Sequence, residues 1–133
     1  MSFELYVQCF EQGESSSFPR DVVDRVFTPV VIRRSPESID IQYGALNSST
    51  IYMAAEGDLS DFMVHRPCGD RRLFQALLEI LRSGALVLYW PGGPPLIGRP
   101  ETADQLPPDL VHALGKPIVV ESPEAIMTAI EQS

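Results

Sequence analysis

The segment His65-Arg66-Pro67-Cys68-Gly69-Asp70-Arg71-Arg72 holds the densest gathering of reactive side chains in the chain. A cysteine beside a histidine could act as nucleophile and base, because a thiol attacks only once it has lost its proton. The segment falls where a strand gives way to a helix, and a helix N-terminus offers unpaired N–H groups and partial positive charge. A working cysteine nucleophile also needs an orienting third group and an oxyanion site. The spacing further lacks the long Cys-to-Arg phosphate loop of a cysteine phosphatase. Two other readings remain. One is a plain helix cap at Asp70 ringed by solvated arginines. The other is an anion- or partner-contacting patch of Arg66, Arg71 and Arg72, since guanidinium forks bind carboxylates in bidentate fashion.

The other chemical candidates are weaker. His65 and Cys68 make one short metal-ligand pair, but His112 and Cys9 supply no second, so neither zinc nor another metal is expected. Glu56, Asp58 and Asp61 crowd one turn without the ligand spacing or terminal bidentate glutamate of a calcium loop. They read as a solvated acidic turn and as the natural contact for a basic partner. Pro91-Gly92-Gly93-Pro94-Pro95 cannot cradle phosphate, because no Lys-Ser or Lys-Thr follows and proline lacks the N–H such loops use. Tyr89 and Trp90 precede it and are candidate aromatic anchors for a partner, with a buried tryptophan as the alternative. No GxSxG, HExxH, GxGxxG or Ser/His/Asp grouping occurs. The chain therefore does not read as an enzyme, and no cofactor is implied.

Charge narrows the partners. The 133 residues carry a formal net charge of −8. Nucleic-acid binders present basic faces to phosphate, so a nucleic-acid role is not expected. A basic protein partner is favoured instead, since opposite fields speed encounter. No apolar run approaches the ~20 residues needed to span a bilayer. The start Met-Ser-Phe-Glu-Leu-Tyr-Val lacks a basic n-region and apolar core, which reads as a cytoplasmic protein. The two cysteines then read as reduced thiols.

These groups must be positioned by a single domain spanning residues 1–133, a length sufficient for a real core. Residues 3–10 alternate, with Phe3, Leu5, Val7 and Cys9 on one face and Glu4, Tyr6, Gln8 and Phe10 on the other, as in a strand. A turn over 11–17 leads to a helix over 20–27 with Val22, Val23, Val26 and Phe27 as its stripe. Runs over 38–44, 50–55 and 59–65 predict an antiparallel meander, with Asn47-Ser48-Ser49 as a hairpin loop. A helix follows Asp70, lined by Leu73, Phe74, Leu77, Leu78, Ile80 and Leu81, with Gly84 as its C′ residue. Residues 85–90 form an apolar strand expected to be buried on both faces. Leu96 and Ile97 start a short paired strand, residues 99–108 a loop, and 108–114 a short helix. A strand at 118–120 and a final helix after Ser122-Pro123-Glu124 complete the chain. This order predicts an α+β fold: one mixed, mostly antiparallel sheet with two or three helices packed on it.

The start Phe3–Phe10 with Gly13-Glu14 and Phe18-Pro19-Arg20 resembles a group of small bacterial proteins. Arg66-Pro67-Cys68, Val87-Leu88-Tyr89-Trp90-Pro91-Gly92, Leu106-Pro107 and Leu114-Gly115 extend the resemblance. Some small acidic proteins of this kind are immunity proteins that neutralise a toxin. The resemblance implies a cytoplasmic protein-binding domain that blocks a basic toxin domain. It assigns no residue to that role; Glu56, Asp58, Asp61, Tyr89 and Trp90 are placed at the contact by their charge and aromatic character. The competing expectation is a small enzyme or anion binder centred on residues 65–72.

Overall fold

A computed structural model describes residues 3–133. Its centre is a mixed sheet in the order β3-β4-β5-β6-β1-β7-β8-β9. The strands are β1 (Glu4–Glu11), β2 (Glu14–Ser15), β3 (Val31–Ser35), β4 (Ser38–Gly44), β5 (Asn47–Met53), β6 (Asp61–His65), β7 (Leu86–Tyr89), β8 (Leu96–Ile97) and β9 (Ile118–Val119). Every pairing is antiparallel except β8 with β9. The helices are α1 (Asp21–Phe27), α2 (Arg71–Arg82), α3 (Pro108–Leu114) and α4 (Pro123–Glu131), with 3₁₀ turns at Thr28–Val30 and Pro100–Gln105. The α+β class and the mostly antiparallel sheet are as the element order predicts.

Apolar periodicity decides which face is covered. Leu5 and Val7 of β1, Ile39 and Ile41 of β4, Ile51 of β5, and Phe62 and Val64 of β6 are buried on one side of the sheet. They meet Val23 and Phe27 of α1, the Leu73/Leu77/Leu81 stripe of α2, and Ile126 of α4. Asp70 caps α2 through its carboxylate, which accepts from the Arg72 N–H at 2.9 Å. Ser122 caps α4 in the same way from Ala125.

The other side of the sheet is covered only at one end. There Phe10, Val87, Ile97 and Leu106 form a second, smaller cluster with Ala103, Leu110 and Val111. The 3₁₀ turn at Pro100–Gln105 and α3 thus roof β1, β7 and β8, and β7 is buried on both faces as expected. Gln105 anchors the roof to the β1–β2 hairpin, its side chain and carbonyl accepting from Gln12 N–H (2.8 Å) and Gly13 N–H (2.9 Å). Both turn residues have positive φ, 51° and 81°, so the hairpin closes in a mirror-image turn suited to strand twist.

Three local expectations are corrected. The β4–β5 turn lies at Ala45-Leu46, and Asn47, Ser48 and Ser49 already belong to β5. Ser49 is needed there because its hydroxyl donates to the Arg66 carbonyl and accepts from the Cys68 N–H, each at 2.9 Å. Gly84 follows α2 without entering the left-handed region; the Ser83 hydroxyl instead donates to the Ile80 carbonyl. Strand β3 is not signalled by the sequence pattern. It is an edge strand held by backbone pairing to β4, and residues 32–35 are exposed, so no apolar alternation marks it.

Candidate functional site

The 65–72 junction is divided by the sheet. His65 sits on β6 one residue out of phase with buried Phe62 and Val64, so it faces away from the helices. Its Nδ1 lies 3.2 Å from Glu4 Oε1, and its ring meets Tyr52 edge-on. Cys68 is buried in the core on the helix side, with its N–H held by Ser49. The two side chains therefore belong to opposite faces, and no nucleophile–base pair is assembled between them. Both cysteines are free thiols. The Cys9 thiol is pushed up, first by burial and then by the nearby Glu11 carboxylate.

The arginines are also separated. Arg71 forks onto Glu124 in the first turn of α4, at 3.0 and 3.2 Å, and these hydrogen bonds hold the Glu124 carboxyl below its usual range. Arg72 folds back onto Asp70 and donates to the Tyr43 carbonyl, with its guanidinium 5.3 Å over the Tyr43 ring. Hydrogen bonds from Arg72 bring the Asp70 carboxyl to about 2. Tyr43, half-buried beneath, is pushed up to about 12, chiefly by desolvation. Arg71 and Arg72 are thus spent tying α2 to α4 and to the β4–β5 turn. All three arginines are exposed, and Arg66 is the one without an ion pair among the described residues; it sits in a left-handed backbone conformation at φ 52°.

Trp90 is buried, at 3% exposure, and its indole N–H donates to the Ser133 hydroxyl at 2.9 Å. It offers no surface, because just past the end of β7 it turns into the helix-side core. Tyr89, one residue earlier, points to the opposite side. Its ring stacks on Tyr6 with centroids 5.6 Å apart, and its hydroxyl donates to Gln8 Oε1 at 3.0 Å. Burial, then the Asp61 charge, raises its pKa.

Tyr89 belongs to a pattern that strand register creates. Tyr89 pairs with Tyr6, Tyr6 with Met63, and Met63 with Tyr52. These four side chains form one row across β7, β1, β6 and β5, on the same side of the sheet as α3 and running from the edge of the α3 cluster, against which Tyr89 packs, into the half that α3 does not cover. Neighbouring strands lie about 4.8 Å apart, so the row is about 14 Å long. A second row runs beside it: Glu4, His65, Thr50, Asp40 and Arg33, again directly opposed across consecutive strands. Its members are joined by the His65–Glu4 contact, a 2.7 Å hydrogen bond from Thr50 to Asp40, and the Arg33–Asp40 ion pair at 3.9 Å. Beyond the aromatic row, Gln8 and Asp61 oppose each other.

The aromatic row floors a shallow depression of about 570 Å³, bordered by Glu37 and Asp61. Of the acidic turn, Asp61 alone lines it. Glu56 and Asp58 are exposed in the adjoining loop, which Arg20 fastens to the start of α1 through the Gly57 and Ala54 carbonyls. Sequence reasoning found Tyr89 and Asp61 but missed Tyr6, Tyr52, Met63 and Glu37. The one available signal was phase: Tyr6 and Tyr52 occupy outward positions of their strands.

Among the described residues no helix is long and apolar enough to cross a membrane. No family model matches the chain, and no curated protein or solved structure shows significant similarity to it.

Proposed function

We propose that this chain is a cytoplasmic protein-binding domain, and most concretely an immunity protein that binds and blocks a basic bacterial toxin domain. The observation that carries this reading is the uncovered half-face of the sheet, where tyrosines and a methionine stand in a row beside carboxylates. A face with no binding role is more simply made polar throughout, whereas partner contacts favour aromatic and methionine side chains bordered by charge. The net charge of −8 supports a basic partner by accelerating encounter. The engagement of Arg71 and Arg72 by carboxylates of the same chain leaves little support for an anion site at the 65–72 junction.

The test is neutralisation. A tagged chain is used to capture partners from lysate of its native cell, and the captured protein's activity is then assayed with and without added chain. The expected result is one basic protein, bound stoichiometrically, whose toxicity or enzymatic activity disappears at a 1:1 ratio (roughly complete at concentrations 100-fold above Kd). A captured protein whose activity is untouched by a saturating excess would overturn the immunity reading.

A further inference from the structure

We infer that the Tyr89–Tyr6–Met63–Tyr52 row, with Asp61 and Glu37 at its border, is the docking surface, and that it takes arginine or lysine side chains of a basic polypeptide. This rests on the protein-binding reading and assigns it a place and a chemistry.

The argument is one of complementarity. The floor of the depression is aromatic and sulfur-bearing, and tyrosine faces attract guanidinium and ammonium groups while packing against their aliphatic stems. The adjoining carboxylates, Asp61 and Glu37, have no arginine or lysine within salt-bridge distance among the described residues, unlike Asp40 in the neighbouring row, which already faces Arg33. The unmet charge therefore lies at the aromatic end of the face. A second copy of the chain would bring the same carboxylates and the same net charge of −8 against themselves, which disfavours self-association. A basic partner meets both features at once.

The surface is also prepared for contact. Tyr6 and Tyr89 are stacked, the Tyr89 hydroxyl is fixed to Gln8, and Tyr52 lies against His65. Rings already held in place lose little freedom on binding, the property that makes tyrosine effective in recognition surfaces. Met63 between them is the adaptable element, able to adjust to the shape of an incoming stem.

The probe is octa-arginine, titrated into ¹⁵N-labelled protein at physiological salt, with octa-glutamate as control. Amide shifts are expected to concentrate on Tyr6, Gln8, Tyr52, Asp61, Met63 and Tyr89. The double variant Tyr6→Ala/Tyr52→Ala should weaken octa-arginine binding by about tenfold, and Asp61→Lys should lower the association rate and flatten its salt dependence. Glu56→Lys/Asp58→Lys serves as the control for nonspecific attraction. Shifts confined to the 56–58 loop, or a double variant binding within about twofold of the parent, would overturn the assignment. So would a dimer that Tyr52→Glu dissociates, which would give the face to a second copy. The two readings fail separately. If a neutralised toxin binds the Tyr6→Ala/Tyr52→Ala chain undiminished, this surface is wrong and the immunity reading stands. If octa-arginine maps to the row but the captured protein keeps its activity, the surface stands and the immunity reading falls.

Discussion

On β6, Phe62 and Val64 disappear beneath α1 and α2, while Asp61, Met63 and His65, one residue out of phase, face the other way. The same division runs through β1, β4 and β5. The helix-covered side is apolar and dense; the opposite side, where α3 leaves it bare, carries a tyrosine–methionine row and a ladder of charged and polar groups. One backbone thus supports two different selections. The covered side is chosen for volume, because each buried methylene contributes to stability. The uncovered half of that side contributes little to folding, so its aromatic content requires another reason, and contact with a partner supplies one.

The sharpest way to break this contrast is a matched pair of truncations. Leu77→Ala, at a fully buried position of α2, should lower unfolding free energy by about 3 kcal/mol through lost burial and a residual cavity. Tyr52→Ala, 44% exposed on the bare side, should change it by no more than about 0.5 kcal/mol. Urea denaturation of both variants decides the matter, and comparable losses would mean that the tyrosine row is structural.

A smaller effect tests how little slack the covered side has. Gly98 follows β8, and a Cβ there would lie 2.7 Å from the Leu81 backbone carbon and 2.8 Å from the Arg82 nitrogen. Gly98→Ala should therefore destabilise by about 2 kcal/mol through forced separation of β8 from the end of α2. A neutral outcome would show that the two can move apart freely.

The smallest effect lies at the junction where the chain leaves the sheet for α2. The Asp70 carboxyl titrates near 2 in the folded protein, below its unfolded value of about 3.9. A depressed folded value stabilises the fold above pH 4, and that contribution is lost as pH falls from about 4 towards 2. Asp70→Ala should remove it together with the helix cap, at about 1 kcal/mol near neutral pH. Thermal melts from pH 2 to 7 should then show a shallower acid-side slope in the variant than in the parent. Parallel slopes would mean that Asp70 titrates normally.

The covered side was largely legible in the sequence, because burial imposes periodicity. The Leu73/Phe74/Leu77/Leu78/Leu81 spacing defines α2, and the apolar run at 85–90 defines β7. Strand β3 was not legible, since Val-Ile-Arg-Arg-Ser is held by backbone hydrogen bonds to β4 and only Val31 packs on the core. The bare side was legible residue by residue and not as a surface. Tyr6, Tyr52, Met63 and Tyr89 are scattered along the chain and become neighbours only through strand register, which single-sequence periodicity does not specify. Trp90 shows the same limit from the other direction: adjacent to Tyr89 in sequence, it ends on the opposite side of the sheet.

That separation makes the protein its own optical instrument. Its single tryptophan is sealed on the covered side, and three of its four tyrosines stand on the bare one. Emission from the indole should therefore shift to the red only when the core opens and water reaches Trp90. Tyrosine absorbance should change when an occupant settles on the row, with the indole undisturbed. Binding and unfolding can thus be followed at separate wavelengths in one cuvette, without a label.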